Sequence, residues 1–375
     1  FDPGGRYHLY PFVTCARCGP RYTIARALPW DRAGTTMAGF VRCPDCERAY
    51  HDPADRRFHA EAAACPRCGP RLDRPVAEVA QALAAGAIVA LKGIGGYHLL
   101  CDAADPAAVA ELRRRKARDA KPFAVMVADA AALARVGAPD AAELALAAHP
   151  ARPVVLTRAR PGVLAPEVAP RLDRVGLMLP QSPLHHLLFH ALAGRGEGAP
   201  SALVATSANP AGEPLVVDEA EARARLDGIA DLIVGHDRPI AARADDSVMA
   251  VLDGAPAFVR RGRGFVPEPV DLGGDGPAVL AVGGILKTTV TLTRGREAFV
   301  SAHVGDLDTP AARRAHAETA RRLCALLGVR PDHVACDLHP DLASTRFAEA
   351  FGPPVLRIQH HAAHVAALAA EHRVD

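Results

Sequence analysis

Four cysteines carry the clearest chemistry in this chain: Cys43 and Cys46, then eighteen residues, then Cys65 and Cys68. Two Cys-x-x-Cys knuckles at that separation supply four thiolates, the donor set of a closed tetrahedral zinc site. Four sulfur ligands leave no open position, so a structural role is expected, with His51 and His59 as loop residues between the knuckles. A further knuckle, Cys15 and Cys18, has no partner upstream. Anion binding is a second chemistry on offer. In Lys92-Gly93-Ile94-Gly95-Gly96 absent side chains let backbone N–H groups approach a phosphate, and Lys92 adds charge. The run Lys116, Arg118 and Lys121 could serve such an anion or form a solvated face. Thr206-Ser207-Ala208-Asn209 offers hydroxyl and amide groups after a strand, a usual place for ligands in open α/β sheets. His360 and His364 at i, i+4 share one helical face, which suits a divalent metal or two solvated polar residues.

The orphan knuckle belongs to an internal repeat. An offset of fifty residues matches Asp2-Pro3 to Asp52-Pro53, Arg6 to Arg56, Cys15 to Cys65, and Arg17-Cys18-Gly19-Pro20-Arg21 to Arg67-Cys68-Gly69-Pro70-Arg71. The counterparts of Cys43 and Cys46 would fall eight and five residues before Phe1. The expectation is a chain that starts inside the first of two zinc modules.

Composition narrows the class. Half of the 375 residues are hydrophobic and the 23% that are charged nearly cancel to a net +2, so no global nucleic-acid signal exists. Six of the nine cysteines sit in Cys-x-x-Cys pairs, which reads as zinc in a reducing compartment and not as a disulfide framework. With no signal-peptide pattern and no apolar run long enough for a bilayer, a cytoplasmic location is expected.

The elements that must position these groups can be read in order. Residues up to about 72 are turn-rich and too poor in apolar runs to fold without metal. After a linker at Leu72-Asp73-Arg74-Pro75, an alanine-rich helix is expected over 76–85 and a buried strand over 86–91. Asp105 as N-cap and Pro106 at the first helical position predict a helix to about Lys116, and Pro122 precedes a strand over 123–127. Strands at 153–156 and 202–206 continue the alternation, which argues for an α/β layer domain closing near 266–269. Gly273-Gly274-Asp275-Gly276-Pro277 reads as an interdomain linker. Beyond it come a strand at 279–282, strands at 289–293 and 298–300 separated by a turn at Arg294-Gly295-Arg296, a helix over 310–327 stopped by Gly328, a strand at 334–336, and an alanine-rich helix after Gln359.

In this order, Lys116-Ala117-Arg118 with Lys121-Pro122-Phe123, Ser207-Ala208-Asn209 with Gly212, Asp245-Asp246-Ser247-Val248, and Arg260-Arg261-Gly262-Arg263-Gly264 resemble the nucleotide-binding set of the YrdC/TsaC family. The zinc modules with Cys-Gly-Pro-Arg and the Gly283-Gly284-Ile285-Leu286-Lys287 segment resemble the layout of the HypF family, carbamoyltransferases of nickel–iron hydrogenase maturation. That resemblance covers essentially the whole chain, through phrases such as Leu179-Pro180-Gln181-Ser182-Pro183-Leu184-His185-His186 and Ala335-Cys336-Asp337-Leu338-His339-Pro340. It implies an α/β fold: zinc-ribbon-like modules over 1–72, a YrdC-like open twisted sheet over 73–268, and over 276–375 the start of a truncated ASKHA/TsaD-like α/β domain.

The resemblance also implies an ATP-dependent path from carbamoyl phosphate to the C-terminal cysteine of HypE. Carbamate and ATP with Mg2+ would give carbamoyl adenylate in the YrdC-like domain, and the TsaD-like domain would transfer the carbamoyl group. On this reading Lys92, Lys116 and Arg118 are catalytic, and Lys121, Ser207, Asn209, Arg260 and Arg261 bind the nucleotide. Cys15, Cys18, Cys43, Cys46, Cys65 and Cys68 hold structural Zn2+, and His360 and His364 hold a divalent metal. The partners would be HypE and the small-molecule substrates, with no membrane. Two other readings are a TsaC-like threonylcarbamoyl-AMP synthase for tRNA modification and a double-stranded RNA-binding module. The zinc modules and the Gly283 segment disfavour the first, and an aromatic content of 5% disfavours the second.

Overall fold

The computed structural model describes residues 1–14 and 20–374. Cys15 and Cys18 therefore lie outside the described residues. The chain divides into two compact units, one formed by Phe1–Ala25, Trp30–Ala211 and Leu215–Gly264, the other chiefly by the residues from Phe265 onward.

The first unit begins with the cysteine-rich module, which among the described residues holds α1 (Pro44–His51). The fifty-residue repeat is visible in its backbone. Gly5, His8 and Tyr10 donate N–H groups to Asp2, Gly5 and Tyr7, and Asp55, Phe58 and Ala60 donate to Asp52, Asp55 and Arg57 in the same pattern. Leu9 and His59, fifty apart, both take left-handed φ, +52° and +50°. Ile24, Met37, Ala62 and Ala64 form a small core of the module, with Trp30 and Phe40 against it. Gly69 of the Cys-Gly-Pro-Arg motif is required by close approach: a Cβ there would lie 2.1 Å from the Tyr10 hydroxyl, which donates to Pro70 O at 3.0 Å.

The sheet domain follows with α2 (Val76–Ala84), β1 (Val89–Lys92), β2 (Tyr97–Asp102), α3 (Pro106–Lys116), β3 (Ala124–Val127), α4 (Ala130–Val136), α5 (Ala141–Ala148) and β4 (Val154–Arg158). It continues through β5 (Arg174–Met178), α6 (Pro183–Ala193), β6 (Ala202–Ser207), α7 (Glu219–Arg225), β7 (Leu232–Val234), β8 (Val248–Leu252) and β9 (Ala255–Arg260). Nine strands form one mixed sheet in the order β7-β1-β2-β6-β3-β5-β4-β8-β9. Apolar residues on both faces of the central strands explain why the sheet is covered on both sides. Ala90, Leu99, Cys101, Val125, Val204 and Leu177 face a core with Val109 and Leu112 of α3. Their neighbours Val89, Leu91, Leu100, Met126, Leu203 and Met178 face a second core with α2 and α6. Each fully buried leucine contributes about 2–3 kcal/mol.

In the second unit β10 (Pro269–Gly276), β11 (Val279–Ala281), β12 (Thr291–Val300), β13 (His333–Asp337) and β14 (Val355–Ile358) make a sheet ordered β10-β12-β11-β13-β14. Three helices accompany it: α8 (Pro310–Leu327), α9 (Ala343–Phe351) and α10 (His360–His372). Leu280, Val282, Leu292, Phe299, Leu323 and Val334 form its core. Here two expectations need correction. The glycine-rich stretch read as a linker is strand β10, and the two short strands read around Arg294-Gly295-Arg296 are the single strand β12. The two pair antiparallel through a register shift between Asp271 and Gly276. Glycines at φ +79° (Gly273) and +58° (Gly295) absorb the irregularity, while Arg296 grips Asp271 through two hydrogen bonds of 2.9 Å. Such an edge ribbon has turn-like composition, so local propensity misreads it. No helix among the described residues is long and apolar enough to cross a membrane.

The β1–β2 connection is built on close backbone approach. Gly93 N donates to Gly96 O at 2.8 Å, and Ala244 N donates to Gly95 O at 3.1 Å. A Cβ on Gly95 would lie 2.2 Å from Ala244 O, and one on Gly96 would meet the Leu215 side chain at 2.4 Å. These glycines thus serve packing. Gly95→Ala is expected to cost about 2 kcal/mol or more, because backbone must move. Urea unfolding of the variant checks this, and an unchanged midpoint would contradict it.

Candidate functional site

The cationic residues singled out at the end of α3 converge on the loop after β6. Asp105 caps α3 by accepting the Ala107 N–H at 2.9 Å, and the helix ends at Ala117 with left-handed φ of 48°. That conformation costs a non-glycine residue roughly 1 kcal/mol, and it aims Lys116 and Arg118 at the sheet. The Lys116 ammonium donates to Ser207 O (2.7 Å), Asn209 O (2.6 Å) and Asn209 Oδ1 (3.0 Å). Ser207 Oγ donates to Asn209 Oδ1 at 2.7 Å. Burial, helped by the neighbouring Arg118 charge, pushes the Lys116 ammonium down to about 7.

Arg118 is fixed from two sides. Its Nε donates to Lys121 O at 3.0 Å and Nη1 to Thr206 Oγ1 at 3.4 Å, and it lies 4.9 Å from the Phe123 ring centroid. Burial pushes it down to about 10, so it stays charged at neutral pH. Arg113, which the sequence reading did not single out, positions this loop. It donates to Arg118 O at 2.8 Å and Lys121 O at 3.2 Å and lies 4.5 Å from the same ring. Lys121 is close enough to bear on the Lys116 charge.

The other wall comes from the segment before β8 and the end of β9. Arg260 Nη1 lies 3.4 Å from Asp245 Oδ2, and Asp245 also faces Lys116 and Arg118. Beneath it, Asp246 accepts from His98 Nε2 at 2.9 Å and Arg263 Nε at 2.7 Å. Burial alone would raise the Asp246 carboxyl, but Arg263 and His98 hold it well below the usual carboxylate range. Arg263 also donates to Ala151 O and Arg152 O, so this buried ion pair fixes the backbone that presents Asp245. Arg261 lies 5.7 Å from the Phe258 ring centroid.

Lys92 is not brought to this group. Its ammonium donates to His236 O at 2.9 Å in a buried setting. The charges facing it are Asp218, Arg238, Glu219 and Asp237, and none of these faces Lys116.

Among the described residues one metal-type cluster stands out, Cys43, Cys46, Cys65 and Cys68, with all four Sγ atoms within 4.8 Å of one another. The Sγ separations are 3.7 Å for Cys43–Cys65, 3.8 Å for Cys65–Cys68 and 3.7 Å for Cys46–Cys68. Zn–S bonds of about 2.3 Å in a tetrahedron require edges of about 3.8 Å. The donor set fits zinc in chemistry and in spacing. His51 instead meets Glu47 at 3.1 Å on the helix surface. In the second unit His360 Nδ1 donates to Asp337 Oδ2 at 2.6 Å, and its Nε2 lies 3.2 Å from His364 Nε2. Two imidazoles on one divalent ion sit about 3.0–3.4 Å apart, and a carboxylate orienting the far ring nitrogen is the usual support.

The Lys116 setting has a pH consequence. An arriving phosphate opposes the effect of burial and raises this ammonium toward the ordinary lysine value of about 10.4. Anion binding there would therefore take up a proton above about pH 7, the value to which burial lowers this ammonium. Anion affinity is expected to be full below about pH 7 and to weaken from pH 7 to 9, with Lys116→Met flattening that slope. Calorimetric titration with ATP in buffers of different ionisation enthalpy reads the proton uptake, and a pH-independent affinity would contradict it.

Comparison with known proteins follows this geometry. Residues 81–262 match the Sua5, YciO and YrdC family described as Telomere recombination, residues 274–371 the HypF Kae1-like domain, and residues 1–25 and 43–73 the HypF finger. The chain is 57% identical over 374 residues to Carbamoyltransferase HypF of Rhizobium leguminosarum bv. viciae, covering 100% of this chain and 49% of that protein. It is 44% identical to Carbamoyltransferase HypF of Rhodobacter capsulatus, covering 98% and 50%. A crystal structure of full-length HypF in the phosphate- and nucleotide-bound form superposes with a TM-score of 0.95 at 42% identity, over 100% of this chain and 50% of that one. That of T.kodakarensis HypF gives 0.94 at 37%, with the same coverage. The chain spans about half the length of the curated relatives it matches. With finger, YrdC-type sheet and Kae1-like segment all matched in order along its length, the chain belongs to the HypF family.

Proposed function

We propose that the first unit binds ATP with Mg2+ and joins it to carbamate, derived from carbamoyl phosphate, to give carbamoyl adenylate. In the whole protein the carbamoyl group then passes to the C-terminal cysteine of an acceptor protein, HypE. The observation that carries this reading is the grouping of Arg118, Asp245 and Arg260 around Lys116, whose ammonium holds the Ser207–Asn209 loop. A nucleotide-bound HypF that superposes on this chain supports it.

The chemistry needs no side-chain nucleophile. A carbamate oxygen attacks the α-phosphorus of ATP, an O–P bond forms, the bond to the bridging oxygen breaks, and pyrophosphate leaves. Negative charge grows on the α-phosphoryl oxygens, and fixed cations are the groups that lower this barrier. Lys116 and Arg118 take that role, with Lys121, Ser207, Asn209, Arg260 and Arg261 as nucleotide ligands. The three Lys116 hydrogen bonds to the loop would be exchanged in part for phosphate oxygens, so this ammonium both shapes the loop and binds the anion. Lys92 has no part in this step, because its ammonium is engaged elsewhere. Zinc at the four cysteines is structural, and His360 with His364 holds a divalent ion used in transfer.

Incubation of the 375-residue chain with ATP, Mg2+ and carbamate should release pyrophosphate and form carbamoyl adenylate. Lys116→Ala and Arg118→Ala should each lower ATP affinity about tenfold or more, the worth of a charge-assisted hydrogen bond. Adenylate formed with threonine and bicarbonate in preference to carbamate would favour a threonylcarbamoyl-AMP synthase. Steeply salt-dependent binding of duplex RNA with no adenylate would favour the RNA-binding reading.

A further inference from the structure

Two carboxylates and a buried phenol meet at one spot on the first unit, away from the Lys116 group. Asp73 comes from the segment ahead of α2, Tyr97 opens β2, Glu219 opens α7, and Gly235 follows β7. From the position that a Cβ on Gly235 would take, the Tyr97 hydroxyl lies at 3.0 Å, Asp73 Oδ2 at 3.3 Å and Glu219 Oε2 at 3.8 Å. Glycine at 235 is what leaves the space between these oxygens open.

The phenol is the group that points to a ligand. Tyr97 is 0% exposed, and its hydroxyl has no hydrogen-bond partner among the described residues. A buried hydroxyl is ordinarily bonded, so an orphan one calls for a bound group. Burial, with the charges of Glu219, Asp73 and Asp218 added, pushes this phenol well above its ordinary value, and it stays protonated at neutral pH. The carboxylates are short of partners too. Asp73 accepts the Gly235 N–H at 3.0 Å on both oxygens and has no ion pair among the described residues. Glu219 gives Oε1 to Arg223 Nη2 at 2.5 Å, in a surface pair whose arginine side chain is 68% exposed, and turns Oε2 toward Gly235. Arg223 is the cation that bears on Tyr97, against Asp73, Asp218 and Glu219. Asp218 and Glu219 also bear on the Lys92 ammonium, which donates to His236 O.

Oxygen-only donors with an excess of negative charge select a hard cation. The donors here sit on separate segments with no imposed symmetry. Ca2+ accepts such irregular sets of carboxylate and water oxygens, whereas Mg2+ demands a near-ideal octahedron. We infer that Asp73 and Glu219 are ligands of a calcium-type cation, that water completes its shell, and that the Tyr97 hydroxyl bonds to a water of that shell. The ion would fasten the segment below the cysteine-rich module to the start of α7 and the exit of β7. It is separate from the metal that accompanies a nucleotide, because the charges that bear on Lys116 are Arg118, Asp245 and Lys121. Two carboxylates place the site at the weak end of calcium sites, with a Kd of about 10−4–10−3 M.

Terbium, a luminescent mimic of calcium, is excited through a tyrosine ring close to its site. Titrated without nucleotide into the zinc-loaded 375-residue chain, Tb3+ is expected to give tyrosine-sensitised emission that saturates and that Ca2+ displaces. Tyr97→Phe removes only an unpartnered hydroxyl and should lower that emission severalfold. Asp73→Asn should weaken Tb3+ binding about tenfold, the loss of one charged ligand. The emission should persist in His360→Ala, which takes away the imidazole pair of the second unit. In a separate measurement, millimolar Ca2+ should raise the thermal unfolding midpoint of the unsubstituted chain by a few degrees and leave that of Asp73→Asn unmoved. Emission unchanged in both Tyr97→Phe and Asp73→Asn would overturn the site, as would emission lost in His360→Ala. Absence of saturable Tb3+ binding would overturn it too and leave the Tyr97 hydroxyl with water alone.

Discussion

The Lys116 ammonium is the interaction on which the first unit's candidate site depends. It is buried at the end of α3, and its three hydrogen bonds fix Ser207 and Asn209 at the end of β6. A buried cation is tolerated only when its donors are met, so the helix end and the loop are obliged to meet in one geometry. Arg113 and Arg118 then fasten the chain that follows, through carbonyls of residues 118, 121 and 122 and the face of Phe123. Lys116 and Arg118 of the cationic run therefore do not form a solvated face. Arg114 points outward, paired with Glu111 on the helix surface, and Lys121 is exposed as well.

The opposite wall is held by a different constraint, a carboxylate buried between Arg263 and His98. Removing either partner would leave a charge stranded in the interior, which is why such groups transmit position so strictly. Ser247 adds to this by donating to Arg263 O and accepting from Gly262 N. Gly262 can have no side chain, since a Cβ would lie 2.3 Å from Asp245 O. Acidic, hydroxyl and glycine residues in this region thus form one brace, and Asp245 and Arg260 are what it presents.

Much of this was legible in the sequence where residue type and local spacing decide the outcome. Asp105 and Pro106 at the start of α3, Gly328 at φ +64° after α8, and the two cysteine knuckles behave as their chemistry requires. The fifty-residue repeat was legible for the same reason, since equal turns need equal residues. Contacts far apart in sequence were not. Nothing local marks Arg113 as the residue that carries residues 118–121, or Asp246 as the partner of a histidine 148 positions away. The glycines at 93–96 show the limit most clearly. Their pattern fits a phosphate cradle, yet the nearest atoms to the missing side chains of Gly95 and Gly96 belong to Ala244 and Leu215, and those to Gly93 belong to Gly96 and His98.

The cysteine module takes a larger meaning from these contacts than a metal-stapled spacer would have. Among the described residues its apolar core is a small cluster around Ile24, Met37, Ala62 and Ala64, and modules with so small a core usually draw stability from a metal. It is nevertheless stitched to the sheet domain by Arg71 N on Asp237 Oδ1 at 2.7 Å and Gly235 N on the Asp73 carboxylate at 3.0 Å. Phe12 packs edge-on at 5.0 Å from the His236 ring. Lys92, His236 and Arg238 belong to the sheet domain, but the wall that keeps water from them comes partly from the module. A metal held by the four cysteines would thereby also fix Phe12 against the His236 ring, beside the buried Lys92 and Arg238.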